Sequence, residues 1–154
     1  MNYCSVVQDI FFPAYLAVEK LIDHRPTVTM GAAVLLLANQ RFTADHDLDL
    51  IVPANCGLFD GIEPTTSPCG TYYGYKRIMD IHGVKVEVLA DFWVTTPGNP
   101  RIQLVEKQAS LLVRDVRGTK YVPITSSSTL RGFYRAMNRP KDQPKIQLLE
   151  EALS

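Results

Sequence analysis

The chain has no excess of either charge: 16 Lys and Arg stand against 16 Asp and Glu. It therefore lacks the global electrostatic footprint that would mark a duplex-DNA or acidic-membrane binder. Cysteine is scarce. Cys4, Cys56 and Cys69 make an odd count with no CxxC pair; Cys56 and Cys69 could pair, but free thiols are the expectation. Long apolar runs are absent too, since the longest, Ala32–Ala38, is far short of the ~20 residues a bilayer span requires. The first residues carry neither a basic n-region nor a cleavable apolar segment. The expectation is a soluble, cytoplasmic protein without membrane contact. There is no internal repeat and no low-complexity tract.

What is present is an ordinary globular composition. With 154 residues, 46% hydrophobic and 21% charged, the chain is expected to form one domain over residues 1–154 with a full core. Residues 1–77 hold 5 basic and 8 acidic side chains, and residues 78–154 hold 11 and 8. That asymmetry suits an acidic metal-binding front half and a basic back half able to hold phosphates, or else is ordinary surface composition.

The pattern of elements is mixed α and β. Asp9–Asp23 has helical spacing, with Pro13 kinking the helix or opening it; this N-terminal helix occupies residues 1–25. Pro26–Met30 is a short strand, Gly31 follows, and Ala32–Gln40 is a helix apolar on every side. Next comes a strand-like segment carrying Asp45, Asp47 and Asp49. A turn-rich stretch, Pro53–Gly70, leads to Tyr72–Asp80 and Val84–Asp91, two strands joined at His82-Gly83. A loop with Pro97, Gly98 and Pro100 precedes a second hairpin, Ser110–Val116 and Lys120–Ile124, turning at Arg117-Gly118-Thr119. Residues 126–154 are helical. Ser126–Ser128 caps a helix with Leu130, Phe133, Tyr134 and Met137 on its core face, Arg131, Arg135 and Arg139 form a ridge beside it, and Ile146–Leu153 is a last helix.

The segment Met30–Val52 organises the chemistry. On a strand, Asp45, Asp47 and Asp49 share one face at roughly 6.5 Å intervals, with His46, Leu48, Leu50 and Val52 on the other. Like charges so arranged repel unless a cation sits among them, and Mg²⁺ suits carboxylate and phosphate oxygens. An EF-hand is excluded, because Leu50 stands where glycine is required and Cys56 where the bidentate glutamate belongs. Gly31, between strand and helix, lets a backbone approach phosphate at a helix start. Glu87, alternating with Val86 and Val88, offers a further acid for a site holding two metals roughly 3.5–4 Å apart. Each feature also has a plainer reading: a solvated acidic turn, a surface Glu87, an exposed arginine face, an Arg41 paired with a nearby acid, and Tyr72, Tyr73 and Tyr75 packing in the core rather than stacking on a base.

Gly31-Ala32, the twelve residues Ala33–Ala44, Asp45-x-Asp47 and later Val86-Glu87-Val88 resemble the nucleotidyltransferase-fold superfamily. The string Arg41–Asp49 is similar to the minimal nucleotidyltransferases and their AbiEii-like antitoxin relatives, as is the tail with Arg139-Pro-Lys141-Asp142 and a closing apolar helix. The resemblance covers residues 27–153, with the N-terminal helix as an addition. It implies an α+β fold with a small mixed β-sheet flanked by helices. It also implies Mg²⁺-dependent transfer of a nucleoside monophosphate from an NTP to an acceptor hydroxyl on protein, RNA or a small molecule. Asp45 and Asp47 would bind metal, with Asp49 a further candidate ligand, and Glu87 would bind the catalytic metal and help deprotonate the acceptor. Gly31 and Ala32 would cradle phosphate through backbone N–H groups, supported by Arg41, Thr43 and Arg135. The chain departs from the family at Ala32 (serine or glycine is usual), His46 (usually apolar), Glu87 (usually aspartate) and the C-terminal helix lysine, where Arg135 is the nearest basic position. The readings from other classes are a non-catalytic binding module and a phosphoester hydrolase.

Overall fold

The computed structural model describes residues 3–67, 72–95 and 101–153. Its elements are β1 (Tyr3–Cys4), α1 (Phe11–Ile22), β2 (Thr27–Val28), α2 (Met30–Leu37), β3 (Leu48–Ile51), β4 (Thr65–Thr66), β5 (Tyr72–Ile81), β6 (Val84–Val94), β7 (Ile102–Gln103), β8 (Ala109–Asp115), β9 (Gly118–Ile124), α3 (Ser127–Met137) and α4 (Gln143–Leu153), with a 3₁₀ turn at Pro140–Asp142. Among the described residues the strands form one mixed sheet in the order β1-β8-β9-β2-β3-β6-β5-β4, with β7 also on β6. The architecture is α+β, a mixed sheet with four helices. None of the described helices is long and apolar enough to cross a membrane.

The hairpins follow their turn chemistry. β5 and β6 meet at His82-Gly83, both at positive φ (54° and 77°), the twist that a tight two-residue hairpin turn needs. Val84, Val86 and Val88 of β6 and Leu48 and Leu50 of β3 lie on one pleat and are buried in the main core. α1 fills that core with Phe11, Phe12, Ala14, Tyr15 and Val18. Pro13 sits within the first turn of α1, where its missing N–H has no intrahelical acceptor to lose. The N-terminal segment is thus integral rather than appended, and β1 extends the sheet by pairing parallel to β8. On the opposite pleat a smaller cluster of Ile51, Leu89, Phe92, Val94, Leu104 and Phe133 seats α3.

Three differences from the sequence expectation bear on the site. α2 starts at Met30, not Ala32, so Gly31 lies inside its first turn. β3 starts only at Leu48, and residues 44–46 form a turn; a strand face therefore carries Asp49 but not Asp45. The arginine ridge breaks because Asn138 caps α3 in the left-handed conformation (φ 49°), which turns Arg139 away from the line of Arg131 and Arg135. Cys4 and Cys56 are free. Cys69, with the residues to Gly70, and the loop at Pro97, Gly98 and Pro100 lie outside the described residues.

Candidate active site

Parallel pairing of β3 with β6 sets Asp49 directly beside Glu87, and Leu48 beside Val86. Partners in register present their side chains to the same face, so both acids leave the core pleat together. Asp47, one step before β3, precedes Asp49 by two residues and falls on the same side. All three line a cleft of roughly 550 Å³, together with Met30, Gly31, Asp45, His46, Lys76 and residues of α3 and α4.

Asp49 is the electrostatic centre. Its carboxyl is pushed up to about 8, first by burial, then by the charges of Glu87 and Asp47; Lys145 and the backbone N–H of Ala32 work the other way. Its own backbone carbonyl accepts from Thr29 N at 2.9 Å, which ties β3 to the start of α2. Lys76 donates to Glu87 at 2.8 Å, and Lys85 lies 3.7 Å from Asp47. Burial works against the Lys76 ammonium, yet the bond and charge of Glu87 prevail and raise its pKa. Asp45, with its side chain 82% exposed, sits on the rim. Thr43 Oγ1 donates to it; this bond, then Asp45's own backbone N–H, holds its carboxyl below the usual range. Thr43 N also donates to His46 Nδ1 at 3.2 Å.

The opposite wall is basic and comes from the end of α3, the 3₁₀ turn and the start of α4. Asp142 is fully buried. It accepts from Arg139 Nε at 2.6 Å and Lys145 Nζ at 3.2 Å. Both cations line the cleft, as does Lys141. Lys145 Nζ lies 5.2 Å from the centroid of the Tyr134 ring. Tyr134 has no exposed surface, and its hydroxyl has no partner among the described residues. Burial, then the charges of Asp49 and Asp142, raise its pKa against the pull of Arg139.

Asp45, Asp47, Asp49, Glu87 and Gly31 therefore border one cleft, while other expected residues do not join them. Arg41 makes a two-pronged bond to Asp9, at 3.0 Å on each arm, and does not line the cleft. Arg135 pairs with Glu150 at 2.6 Å on the exposed side of α3. Ala32 is buried, and its N–H is taken by Asp49. Lys76, Tyr134 and Lys145 line the cleft without a role read from the sequence, while Arg139 and Lys141 enter the sequence reading only as part of a basic ridge and of the tail motif. Of these, Lys145 stands on the last helix, α4, and only its place in the fold brings it to the cleft.

The oxygens of Asp47, Asp49 and Glu87 are the hard donors that Mg²⁺ takes, and the raised Asp49 pKa marks a place short of positive charge. In chemistry the donor set fits such an ion. Their present spacing is looser: among the described residues no three carboxylate, histidine or cysteine side chains stand close enough to hold a metal. Closing around an ion would require Glu87 and Asp47 to give up Lys76 and Lys85.

No family model matches the chain, and no curated protein matches it. A solved structure similar to it is that of a Thermotoga maritima protein provisionally assigned as a nucleotidyltransferase. Identity is 19%, the match covers 94% of this chain and 96% of that one, and the TM-score is 0.51. At that identity the likeness is one of fold, and the fold is nucleotidyltransferase-like. The match reaches beyond residues 27–153 into the N-terminal segment.

Proposed function

We propose that the cleft binds a nucleoside triphosphate with Mg²⁺ and transfers its nucleoside monophosphate to an acceptor hydroxyl. The observation carrying this reading is the Asp49–Glu87 pair, in register on adjacent strands and facing a cationic wall across the cleft. Asp47, Asp49 and Glu87 would hold Mg²⁺, with Asp45 at the rim. Bound there, the ion would neutralise the departing pyrophosphate and ease deprotonation of the acceptor. Glu87 would take the acceptor's proton as the new O–P bond forms and the Pα–O bond to pyrophosphate breaks. Lys76, hydrogen-bonded to Glu87, would hold that carboxylate in orientation. The resemblance to minimal and AbiEii-like nucleotidyltransferases supports the reading, and a cytoplasmic setting would supply the NTP.

The test is incubation with each labelled NTP, Mg²⁺ and a cell extract. Label should move to a protein, RNA or small-molecule acceptor with wild type and not with Asp49→Ala. A wild-type protein that binds no NTP and labels nothing would end the enzyme reading. One observation favours a second reading, a non-catalytic binding module: lysines already engage Glu87 and Asp47. Such a module need not bind Mg²⁺·NTP, so a binding titration separates the two.

A further inference from the structure

At the end of the sheet away from the cleft, three strands hold an apolar row on one pleat. Tyr3 of β1 pairs with Leu112 of β8, and Leu112 with Tyr121 of β9, so the three side chains share a face. The pleat behind them, with Cys4 and Val113, belongs to the main core. Tyr3 is 37% exposed, Tyr121 62%, and Val116 at the adjoining turn 66%. Single exposed apolar residues are ordinary, but a registered group on one face marks a contact surface. The backbone beside the row is open as well. β9 pairs with β8 from Gly118 to Ile124, whereas β2 reaches β9 only at Ile124. From Gly118 to Val122, the other edge of β9 has no strand beside it among the described residues. Such an edge is a template for an added strand unless something guards it.

The guard here is charge, and it works in one direction. Arg114, Arg117 and Lys120 are exposed around the hairpin end, against one acid, Asp115, which accepts from Val116 N at 2.7 Å. None of the three cations has an ion-pair partner among the described residues. A second copy pairing edge to edge would bring these cations against their own kind. An acidic strand meets no such barrier. Nor do the cations track along a groove, as a nucleic-acid backbone requires; they cluster at the hairpin end, and the row itself is apolar. We infer that the β9 edge and the Tyr3–Leu112–Tyr121 row form a docking surface for an extended acidic segment of a partner protein. The segment adds to β9 as a strand, lays apolar side chains beside Tyr121 and sets its carboxylates beside Lys120. This surface stands apart from the cleft and does not depend on what the cleft binds.

The test uses the full chain and a short fluorescein-labelled peptide of alternating Val and Glu, followed by fluorescence anisotropy. Alternation matches the edge, because Lys120 and Tyr121 lie on opposite faces and an added strand shares faces with its neighbour. Wild type should bind this peptide, and less tightly as salt rises. Tyr121→Ser and Lys120→Glu should each weaken binding by about tenfold, with melting temperatures unchanged because both side chains are exposed. Arg117→Glu combined with Lys120→Glu should in return gain affinity for a peptide of alternating Val and Lys. Peptides N-methylated at every Val or at every Glu distinguish strand addition from loose charge attraction. One should lose binding and the other keep it, since only alternate residues of a strand hydrogen-bond to a given neighbour; equal binding by the two would overturn the inference. So would binding of single-stranded oligouridylate in place of the peptide, self-association that Tyr121→Ser abolishes, or no binding of the Val and Glu peptide by folded wild type.

Discussion

On the sheet side of the cleft, Asp49 and Glu87 are neighbours because two parallel strands pair in register. On the helical side, Arg139 and Lys145 are neighbours because one buried carboxylate, Asp142, holds both. The first wall buries Asp49 among like charges, and burial first, then those charges, push its pKa up to about 8. The second gathers opposite charges, so its cations are neutralised in part and fixed. A buried acid among acids is poised to accept a cation; cations anchored from behind are poised to accept an anion. The fold thus offers two complementary half-sites, one costly without a ligand and the other with two of its cations already held by Asp142. Removing groups from each wall distinguishes these roles.

The largest effect is expected on the acidic wall. Under the nucleotidyltransferase reading, Asp49→Ala and Glu87→Ala should each lower transfer on the order of 10²–10³-fold. Circular dichroism and melting should report a folded protein in both. Asp45→Ala should cost far less, because that side chain sits 82% exposed at the rim. If Asp45→Ala abolished transfer while Asp49→Ala spared it, the depth ordering of the site would be reversed.

Next comes the pH dependence of stability in EDTA. Asp49 has an ordinary carboxylate pKa of 3.8 when unfolded and one pushed up to about 8 when folded, so between these values the unfolded chain is ionised while the folded one keeps its proton. Stability is then full below the unfolded pKa and falls as pH rises through the folded one. Wild type should lose on the order of 3 kcal/mol relative to Asp49→Asn between about pH 5 and pH 8. Urea melts of the two proteins at both pH values measure this; parallel curves would mean that Asp49 is solvated after all.

Much of the sheet wall was legible in the sequence, and little of the helical wall. Alternation in Val84–Val88 and Leu48–Val52 identifies which residues share a pleat, because a strand's period is fixed by its backbone. Strand pairing is not local, so the Asp49–Glu87 register is not written in the spacing of either strand. Local competition also intervened: Thr43 donating to Asp45 and to His46 stabilises a turn where alternation alone predicted a strand. The basic wall was obscured by a helix end. Periodicity carried Arg131, Arg135 and Arg139 onto one ridge, but Asn138 in a left-handed cap re-aims the chain. No spacing rule predicts that a carboxylate after Pro140 will be buried.

A smaller effect is expected where the sheet wall bends. β5 and β6 slip register between Tyr73 and Tyr75. Gly74 there has φ 155°, and an added Cβ would sit 2.7 Å from Phe92 Cα. The obstruction is backbone and cannot swing aside, so Gly74→Ala should destabilise by about 2 kcal/mol, as overpacking does. Phe92 lines the cleft, so ligand affinity should fall along with stability in chemical-denaturation and binding measurements. A neutral Gly74→Ala would mean that the bulge can relax without disturbing Phe92.

The smallest effects belong to the two arginines that resemblance placed near phosphate. Arg135 pairs with Glu150 at 2.6 Å and Arg41 with Asp9, and these side chains are 43–58% exposed. Exposed ion pairs exchange one set of solvated charges for another and lose side-chain freedom in doing so. Arg135→Ala and Arg41→Ala should therefore each change stability by no more than about 1 kcal/mol, and less in high salt, where surface pairs are screened. Affinity for tripolyphosphate should not move in either variant, because neither side chain borders the cleft. Lys145→Gln, one helix away, should weaken that affinity strongly. Should Arg135→Ala weaken binding as much as Lys145→Gln does, α3 would have to turn its exposed face toward the ligand, and the division of the cleft into an acidic sheet wall and an Asp142-anchored basic wall would fail.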